Sequence, residues 1–171
     1  MPQPAVTGVL SWVGSGRVGS AGTAQQSLGF HHIVRTVIRR GPRAVGPHRC
    51  SGGRSPEQLR RLADVVQEVM LEVFDAPDRD RYQIITVHPV GQIIAEDTNL
   101  GLERTDNLVI LQIFQQGRTD EHKKNAYRRL ADRLEIEVGL APTDLIVSVV
   151  ANERADWSFG LGRAQFLEGD L

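Results

Sequence analysis

The spacing of hydrophobic and polar positions along this chain predicts two β-α-β units. Apolar residues recur at helical spacing between residues 56 and 74, and an apolar strand pattern follows at residues 84–87. The succession repeats about 64 residues later, with a strand pattern at 108–114, a helical pattern from 119 to about 137 and a strand pattern at 145–150. The pattern therefore predicts a duplicated β-α-β chain.

Both predicted helices begin with similar local sequences. Ser55 suits the N-cap of the first helix, Pro56 its first turn, and Glu57 the positive end of its dipole. Thr119 takes the equivalent N-cap position in the second helix. The residues that precede the caps are Gly53-Arg54 and Gly117-Arg118, so each helix follows a Gly-Arg turn.

These units predict an α/β fold with two layers (α+β), in which a four-stranded sheet carries both helices on one face. Each crossover should be right-handed. Residues 84–87 and 109–111 offer no polar side, so the second sheet face is also predicted to be apolar. An uncovered apolar sheet face indicates an oligomer. A short strand at 92–95 and a hairpin or wrapping arm at 157–171 complete the expected elements.

The distribution of charged residues divides the chain into two unlike parts near residue 52. Residues 1–56 carry seven arginines and no acidic residue, whereas the rest carries 13 basic and 21 acidic residues. We expect residues 1–52 to be a low-complexity basic leader, disordered or mis-framed, and residues 53–171 to form the folded domain. Residues 41–50 make a poor strand, and no convincing amphipathic arginine helix of the transit-peptide kind appears outside the short run 33–40.

Composition narrows the function classes. No run of about 18 apolar residues exists, so no membrane association is expected. Arginines without interleaved aromatic residues give weak support for nucleic-acid binding, which is not expected either. The lone Cys50 cannot form an internal disulfide. No metal-ligand spacing or phosphate-binding loop is present, so neither a metal nor a cofactor is expected.

Three features offer candidate chemistry. Arg54 and Arg118 each stand at a helix N-terminus, where guanidinium and helix dipole both attract anions; the alternative is a surface arginine beside a helix cap. Asp80 lies in a charged turn that is either solvated or part of a site. Aromatic residues cluster near the C-terminus, where they either cover the core or form an apolar wall beside a charged site. This cluster consists of Trp157, Phe159 and Phe166.

These motifs resemble those of the tautomerase superfamily, and within it the malonate semialdehyde decarboxylases. The features that carry the resemblance are the two Gly-Arg turns, Asp80-Arg81-Tyr82-Gln83, His88, Glu96-Asp97-Thr98 and the C-terminal segment 155–171 with its Ala-Asp-Trp-Ser-Phe-Gly sequence. The resemblance covers residues 53–171. It implies a homotrimer of fused β-α-β pairs in the cytoplasm that acts on a small oxo acid without a cofactor.

The resemblance also implies residue roles. The family's catalytic group is an N-terminal proline that begins the first strand, and Asp80 matches the carboxylate that supports it. Arg118 matches an arginine that holds the substrate carboxylate. Arg54 matches a Gly-Arg arginine of the short family members, in the half that is usually non-catalytic in fused relatives. The apolar pocket wall corresponds to Trp157, Phe159, Phe166 and Leu171.

Two departures from the family pattern matter. A second substrate arginine is replaced by Gln116, so one charge-assisted contact becomes neutral. The family's proline position falls on the internal Ala44, whereas Pro2 lies far upstream. A single-base shift before Gly53 would permit a start codon followed by Pro-Ser-Val-Arg-Ile-Asp-Val-Pro-Ala. Two functions stay open: a decarboxylase or keto-enol tautomerase with that proline, or an inactive trimeric carboxylate-binding protein without it.

Overall fold

The computed structural model describes residues 32–39 and 53–171, which form one mixed sheet and its helices. Single-turn 3-10 helices at Pro142–Asp144 and Arg154–Asp156 flank the last strand. The strands and α-helices are β1 (His32–Arg39), α1 (Pro56–Phe74), β2 (Tyr82–His88), β3 (Val109–Gln116), α2 (Asp120–Val138), β4 (Leu145–Asn152) and α3 (Gln165–Glu168).

The sheet has the strand order β2-β1-β3-β4. β1 pairs with β2 in parallel, β3 pairs with β4 in parallel, and the central β1–β3 pair is antiparallel. The duplicated β-α-β architecture predicted from the sequence is therefore confirmed. Because the halves run in opposite directions, the starts of β1 and β2 lie at the same end of the sheet as the last residues of β3 and β4. We call this the Gln116 end, and the opposite one the Asn107 end.

Both long helices cover one face of the sheet. α1 begins with a capping box in which the Ser55 hydroxyl accepts from the Gln58 amide while the Gln58 side chain accepts from the Ser55 amide. α2 begins at the Thr119 cap and ends at Gly139, whose φ of +65° favours glycine. The core between helices and sheet contains Val34 and Ile38 of β1, Leu62, Val66, Val69 and Met70 of α1, Leu111 and Ile113 of β3, and Leu130 and Leu134 of α2.

The first strand comes from a segment that the sequence analysis assigned to the leader. Val34, Thr36 and Ile38 are buried, whereas Arg35 is exposed, so β1 follows the two-residue period of a strand. The described sheet therefore begins before the expected boundary at residue 53. Ala44 and the rest of residues 40–52 lie outside the described residues, as do residues 1–31.

The segment 92–95 and the C-terminal segment differ in how well the sequence predicted them. Residues 92–95 were expected to form a short strand, but they are irregular, and Ile94 is 87% exposed. The C-terminal segment is a wrapping arm rather than a hairpin: it contains α3, and Phe159 stacks on Tyr82 of the opposite edge strand. The arm thus crosses from β4 to β2 at the Gln116 end.

The sheet face opposite the helices exposes apolar side chains. Ile84 of β2 is 60% exposed and Val150 of β4 is 41% exposed, which confirms the uncovered apolar face expected from the strand sequences. Among residues 32–39 and 53–171, no helix has the length and apolar character needed to cross a bilayer.

Candidate functional site

Arg118 is anchored at the Gln116 end by the C-terminus of α1. Gly117 has a φ of +23°, a conformation that favours glycine and turns the chain from β3 towards α2. The Arg118 guanidinium donates a hydrogen bond to the Phe74 carbonyl and lies 5.5 Å from the centre of the Phe74 ring. Burial lowers the pKa of Arg118 to about 10, and the nearby Asp75 carboxylate opposes that shift. The group remains a cation at neutral pH, and its five N–H groups allow it to bind a carbonyl and a carboxylate together.

Gln116 and Asn152 are neighbours where β3 and β4 end. They pair in the strand register, and Gln116 is 6% exposed. Both side chains line a cavity of about 420 Å³ together with Gly117, Ala151, Glu153 and Arg154. The Gln116 Nε2 and the Asn152 Oδ1 have no hydrogen-bond partner among the described residues. These two atoms are therefore buried in the wall of the cavity rather than exposed on it.

Asp80 is buried at the start of β2, with 4% of its surface exposed. The turn before it is fixed by a 3.0 Å hydrogen bond from its amide to the Pro77 carbonyl, and Gln67 of α1 donates to the Asp80 carbonyl at 3.0 Å. Asp78, two residues earlier in the same charged turn, is exposed. Of these two acidic residues, Asp80 is therefore buried and Asp78 is solvated. The start of β1 lies beside this turn, because Ile33 pairs with Tyr82.

The arm places an aromatic stack at the same end. The Trp157 and Phe159 rings are 5.5 Å apart and nearly parallel, and Phe166 meets Phe159 edge-on at 5.6 Å. Tyr82 extends the stack on the other side at 5.8 Å. The three arm rings predicted from the sequence are thus brought together. Leu171, predicted for the same wall, is 58% exposed at the end of the arm.

Arg54 lies at the opposite end of the sheet. Its guanidinium donates to the Asn107 carbonyl at 3.1 Å, immediately before β3 begins. The eight residues of β3 separate this position from Arg118 by roughly 25 Å. Burial lowers the pKa of Arg54, and the Asp144 carboxylate opposes that shift. The sites of the two Gly-Arg turns are therefore separate within one chain.

The Gln116 end also contains polar residues that no sequence pattern indicated. Gln115 is 2% exposed on the helix-covered face, with both amide atoms unpartnered among the described residues. Its strand partner is His32, so it flanks the start of β1 opposite Asp80. Within the described ranges, no cluster of three histidine, cysteine or acidic side chains is placed to hold a metal ion.

Comparison with known proteins identifies the family. Two family models described as tautomerase enzyme match residues 80–160 and residues 49–103. The chain is 55% identical over 119 residues to the probable tautomerase YrdN of Bacillus subtilis, a match that covers 70% of this chain and 92% of that protein. The chain belongs to the tautomerase superfamily. A second B. subtilis protein, the probable tautomerase YusQ, is 35% identical over 68% of this chain and 92% of its own length.

Solved structures of the tautomerase superfamily extend the comparison to the fold. A malonate semialdehyde decarboxylase matches with a TM-score of 0.71 and 36% identity, covering 81% of this chain and 98% of that one. A fused 4-OT described as a symmetric trimer matches with a TM-score of 0.61 at 14% identity, over 80% of this chain and 98% of that one. The second likeness shows the shared fold alone.

Proposed function

We propose that this tautomerase-superfamily protein acts on a small oxo acid at the Gln116 end of the sheet. The observation that supports the proposal is that four features lie at this one end of the sheet: the Arg118 cation, the buried Asp80, the aromatic arm and the start of β1. Arg118 binds the substrate carboxylate, and the stack of Trp157 and Phe159 keeps water from the reacting carbons. Low dielectric around the carboxylate strengthens its attraction to the guanidinium.

The reaction needs a group that donates or removes a proton beside the substrate. In keto-enol tautomerisation a base takes a proton from carbon, and a proton is delivered to the carbonyl oxygen. In decarboxylation of a 3-oxo acid the bond to the leaving CO₂ breaks, its electron pair passes to the polarised carbonyl to give an enolate, and one proton then adds to the carbon that carried the carboxylate. Asp80 orients the proton-transferring group in both reactions.

An N-terminal proline amine is the group that fits this role. The start of β1 lies beside Asp80, which is where an amine that begins the first strand would be placed. An α-amino group titrates near pH 8 (roughly), so small shifts make it either a base or a cationic acid. In the printed sequence His31 precedes His32, and the nitrogen at that position is an amide. The restored reading frame before Gly53 would supply the proline.

The exposed sheet face supports a homotrimer as the working assembly. Ile84 and Val150 expose apolar surface on the side away from the helices. A fused 4-OT of the same fold is a symmetric trimer. Three copies that pack these faces together would remove the surface from water, which is the main driving force for such association.

A non-catalytic carboxylate-binding trimer is the second candidate function. The amide nitrogen at His32 in the printed sequence favours it, because an amide neither accepts nor donates a proton at neutral pH. Such a protein keeps Arg118 at the Gln116 end, and it binds an oxo acid without turnover.

Steady-state assays on two versions of the protein distinguish the candidates. One is the chain as printed, and the other starts with Pro-Ser-Val-Arg-Ile-Asp-Val-Pro-Ala directly before Gly53. Tautomerisation of phenylpyruvate and decarboxylation of malonate semialdehyde are measured for both, with an alanine in place of the new proline as the matched control. We expect turnover in the proline version and at least a 100-fold loss in the control. Equal activity in all versions would contradict an amine mechanism, and carboxylate binding without turnover in every version would establish the second candidate.

A further inference from the structure

A second cavity lies at the Asn107 end of the sheet, between the start of α1 and the end of α2. Its volume is about 360 Å³, close to the lower limit of about 300 Å³ for ligand pockets, so it suits a small molecule. Its lining residues are Arg54, Glu57, Gln58, Arg61, Glu137 and Val138. The function proposed above makes no use of this cavity.

Two of the charged residues in the lining are already paired. Arg61 forms an ion pair with Glu137, and both belong to a network of two arginines and two glutamates that joins α1 to α2. Because the positive and negative charges of this network are equal in number, it offers little net attraction to an ion. The charges that remain for a ligand are those of Arg54 and Glu57.

Arg54 has hydrogen-bonding capacity to spare. Among residues 32–39 and 53–171, the only hydrogen bond of its side chain is the one to the Asn107 carbonyl, although a guanidinium carries five N–H groups. Asp144 lies near enough to oppose the lowering of the Arg54 pKa by burial. The Asp144 oxygens, however, accept from the Thr105 amide and hydroxyl at 2.6 Å. The Arg54 guanidinium can therefore accept a carboxylate as a further partner.

Glu57 supplies the opposite charge on the first turn of α1. A hydrogen bond from the Ser55 hydroxyl lowers the pKa of the exposed Glu57 carboxyl, which is therefore ionised at neutral pH. The Gln58 Oε1 accepts from the Ser55 amide, which leaves the Gln58 Nε2 as a neutral donor. The Ser55 hydroxyl also caps the Gln58 amide, so the contacts on offer come from side chains rather than from the helix N-terminus.

A zwitterion matches these two charges better than a simple ion does. An anion attracted to Arg54 would meet Glu57 with like charge, and a cation attracted to Glu57 would meet Arg54 in the same way. A molecule with a carboxylate and an ammonium group faces each residue with the opposite charge. Val138 adds apolar surface to the lining, on which an aliphatic chain can pack.

We infer that the cavity at the Asn107 end binds a small aliphatic amino acid, with Arg54 and Gln58 on its carboxylate and Glu57 on its ammonium group. The eight residues of β3 separate this cavity from Arg118 by roughly 25 Å. An amino acid bound here is therefore not the substrate of the proposed reaction, and it binds independently of that substrate's carboxylate.

Three probes with one carbon skeleton test the site by NMR titration of the full chain at pH 7, followed through backbone amides near Arg54 and Val138. L-Valine carries both charges, 3-methylbutanoate only the carboxylate, and 2-methylpropylamine only the ammonium group. We expect L-valine to bind about 10-fold more tightly than either one-charge probe, because each of these lacks one charge-assisted contact.

Variants assign the preference to the two charges. Arg54→Gln should lower the affinity for L-valine about 10-fold, Arg54→Lys should keep part of it, and Glu57→Gln should remove the preference over 3-methylbutanoate. Glu121→Gln is the matched control, because Glu121 is exposed in the first turn of α2, the equivalent place in the second half of the repeat, and should leave L-valine binding unchanged. Circular dichroism melts check that each variant folds.

The outcomes keep this site apart from the Gln116 end. L-Valine that binds no more tightly than the one-charge probes, or that does not bind at millimolar concentration, would overturn the inference. An equal loss in Glu121→Gln would attribute binding to net charge and overturn it as well. L-Valine binding that is lost in Arg118→Gln but kept in Arg54→Gln would move the ligand to the other end of the sheet. None of these results bears on the oxo-acid function, which the assays of the two chain versions test separately.

Discussion

Arg118 joins the two halves of the repeat, because its guanidinium hydrogen-bonds the Phe74 carbonyl and lies over the Phe74 ring. The arginine that follows β3 in the second half is thus positioned by the last turn of α1 in the first half. A cation at the C-terminus of a helix also complements the helix dipole. The contact explains how a turn residue obtains a defined position at the Gln116 end of the sheet.

Arg118→Gln should lower kcat/KM for an oxo acid about 100-fold in a catalytically competent version of the protein. The reason is the loss of a charge-assisted, partly buried contact, which is worth roughly 2–4 kcal/mol. Arg128→Gln is the matched control, since Arg128 lies exposed on α2. Equal losses in both variants would show that net charge rather than a specific contact governs binding.

Carboxylate binding should weaken as the pH rises through about 10. Burial lowers the pKa of Arg118 to about 10, so the cation that attracts the carboxylate is present below this value and lost above it. Between pH 6 and 9 the affinity for propionate should therefore be constant. Titrations from pH 6 to 11 measure this, and a decline already between pH 7 and 8 would point to a different group.

Asp80→Asn should lower kcat more than it raises KM. Asp80 is buried beside the start of β1, so loss of its charge affects the proton-transferring group rather than the carboxylate anchor. A 10- to 100-fold fall in kcat is the order of magnitude expected for loss of one positioned general acid-base partner. Asp78→Asn, two residues away and exposed, should leave both constants unchanged; a rise in KM alone would assign Asp80 to substrate binding.

The fold was largely predictable because its signals are local. The Ser55 and Thr119 caps, the helical spacing of apolar residues and the apolar run of β4 each act within a few residues of sequence. β1 was not predicted, since a short strand with Arg35 and Arg39 differs little from the basic segment around it. Only pairing on both sides, with β2 and β3, distinguishes it.

Prediction of the site was less complete, since the site depends on strand register. Register and topology place Arg118 and the arm aromatics at one end of the sheet and Arg54 at the other, although both arginines have the same local sequence. Asn152 had no distinguishing sequence context. Its position beside Gln116 follows from the β3–β4 register, which no local pattern reports.

Arg133→Met should lower the free energy of unfolding by about 1 kcal/mol at pH 7. Arg133 joins α2 to α1: it pairs with Glu68 and, at 2.6 Å, with Glu137, and Arg61 completes the four-residue network. Its own side chain is only 19% exposed, so solvent screens it less than the other members. Urea unfolding measures the loss, and Arg129→Met, which removes one exposed pair with Glu72, should cost less than half as much.

The same network makes stability depend on pH in the acidic range. Hydrogen bonds from Arg133 are the largest influence that lowers the pKa values of Glu68 and Glu137 below their usual 4.5. Their contribution is therefore complete above about pH 4.5 and is lost as the pH falls through the lowered values. The difference between wild type and Arg133→Met should shrink from pH 6 to pH 3; a constant difference would mean that Arg133 acts through packing alone.

The N-terminus of the protein isolated from its natural cells should be a proline that stands about ten residues before Gly53. β1 starts beside Asp80 and Gln115, and an amine at the start of that strand is the group that the proposed reaction requires. In the printed sequence, residues 32–39 form that strand. A restored segment Pro-Ser-Val-Arg-Ile-Asp-Val-Pro-Ala also contains a strand pattern, Val-Arg-Ile-Asp-Val. In the restored frame the two segments would therefore compete for the same place in the sheet. Intact mass and N-terminal peptide sequencing measure the outcome. A native chain that begins at Met1 or Pro2 would rule out the frame hypothesis and favour carboxylate binding without turnover, because an amide nitrogen would then stand beside Asp80.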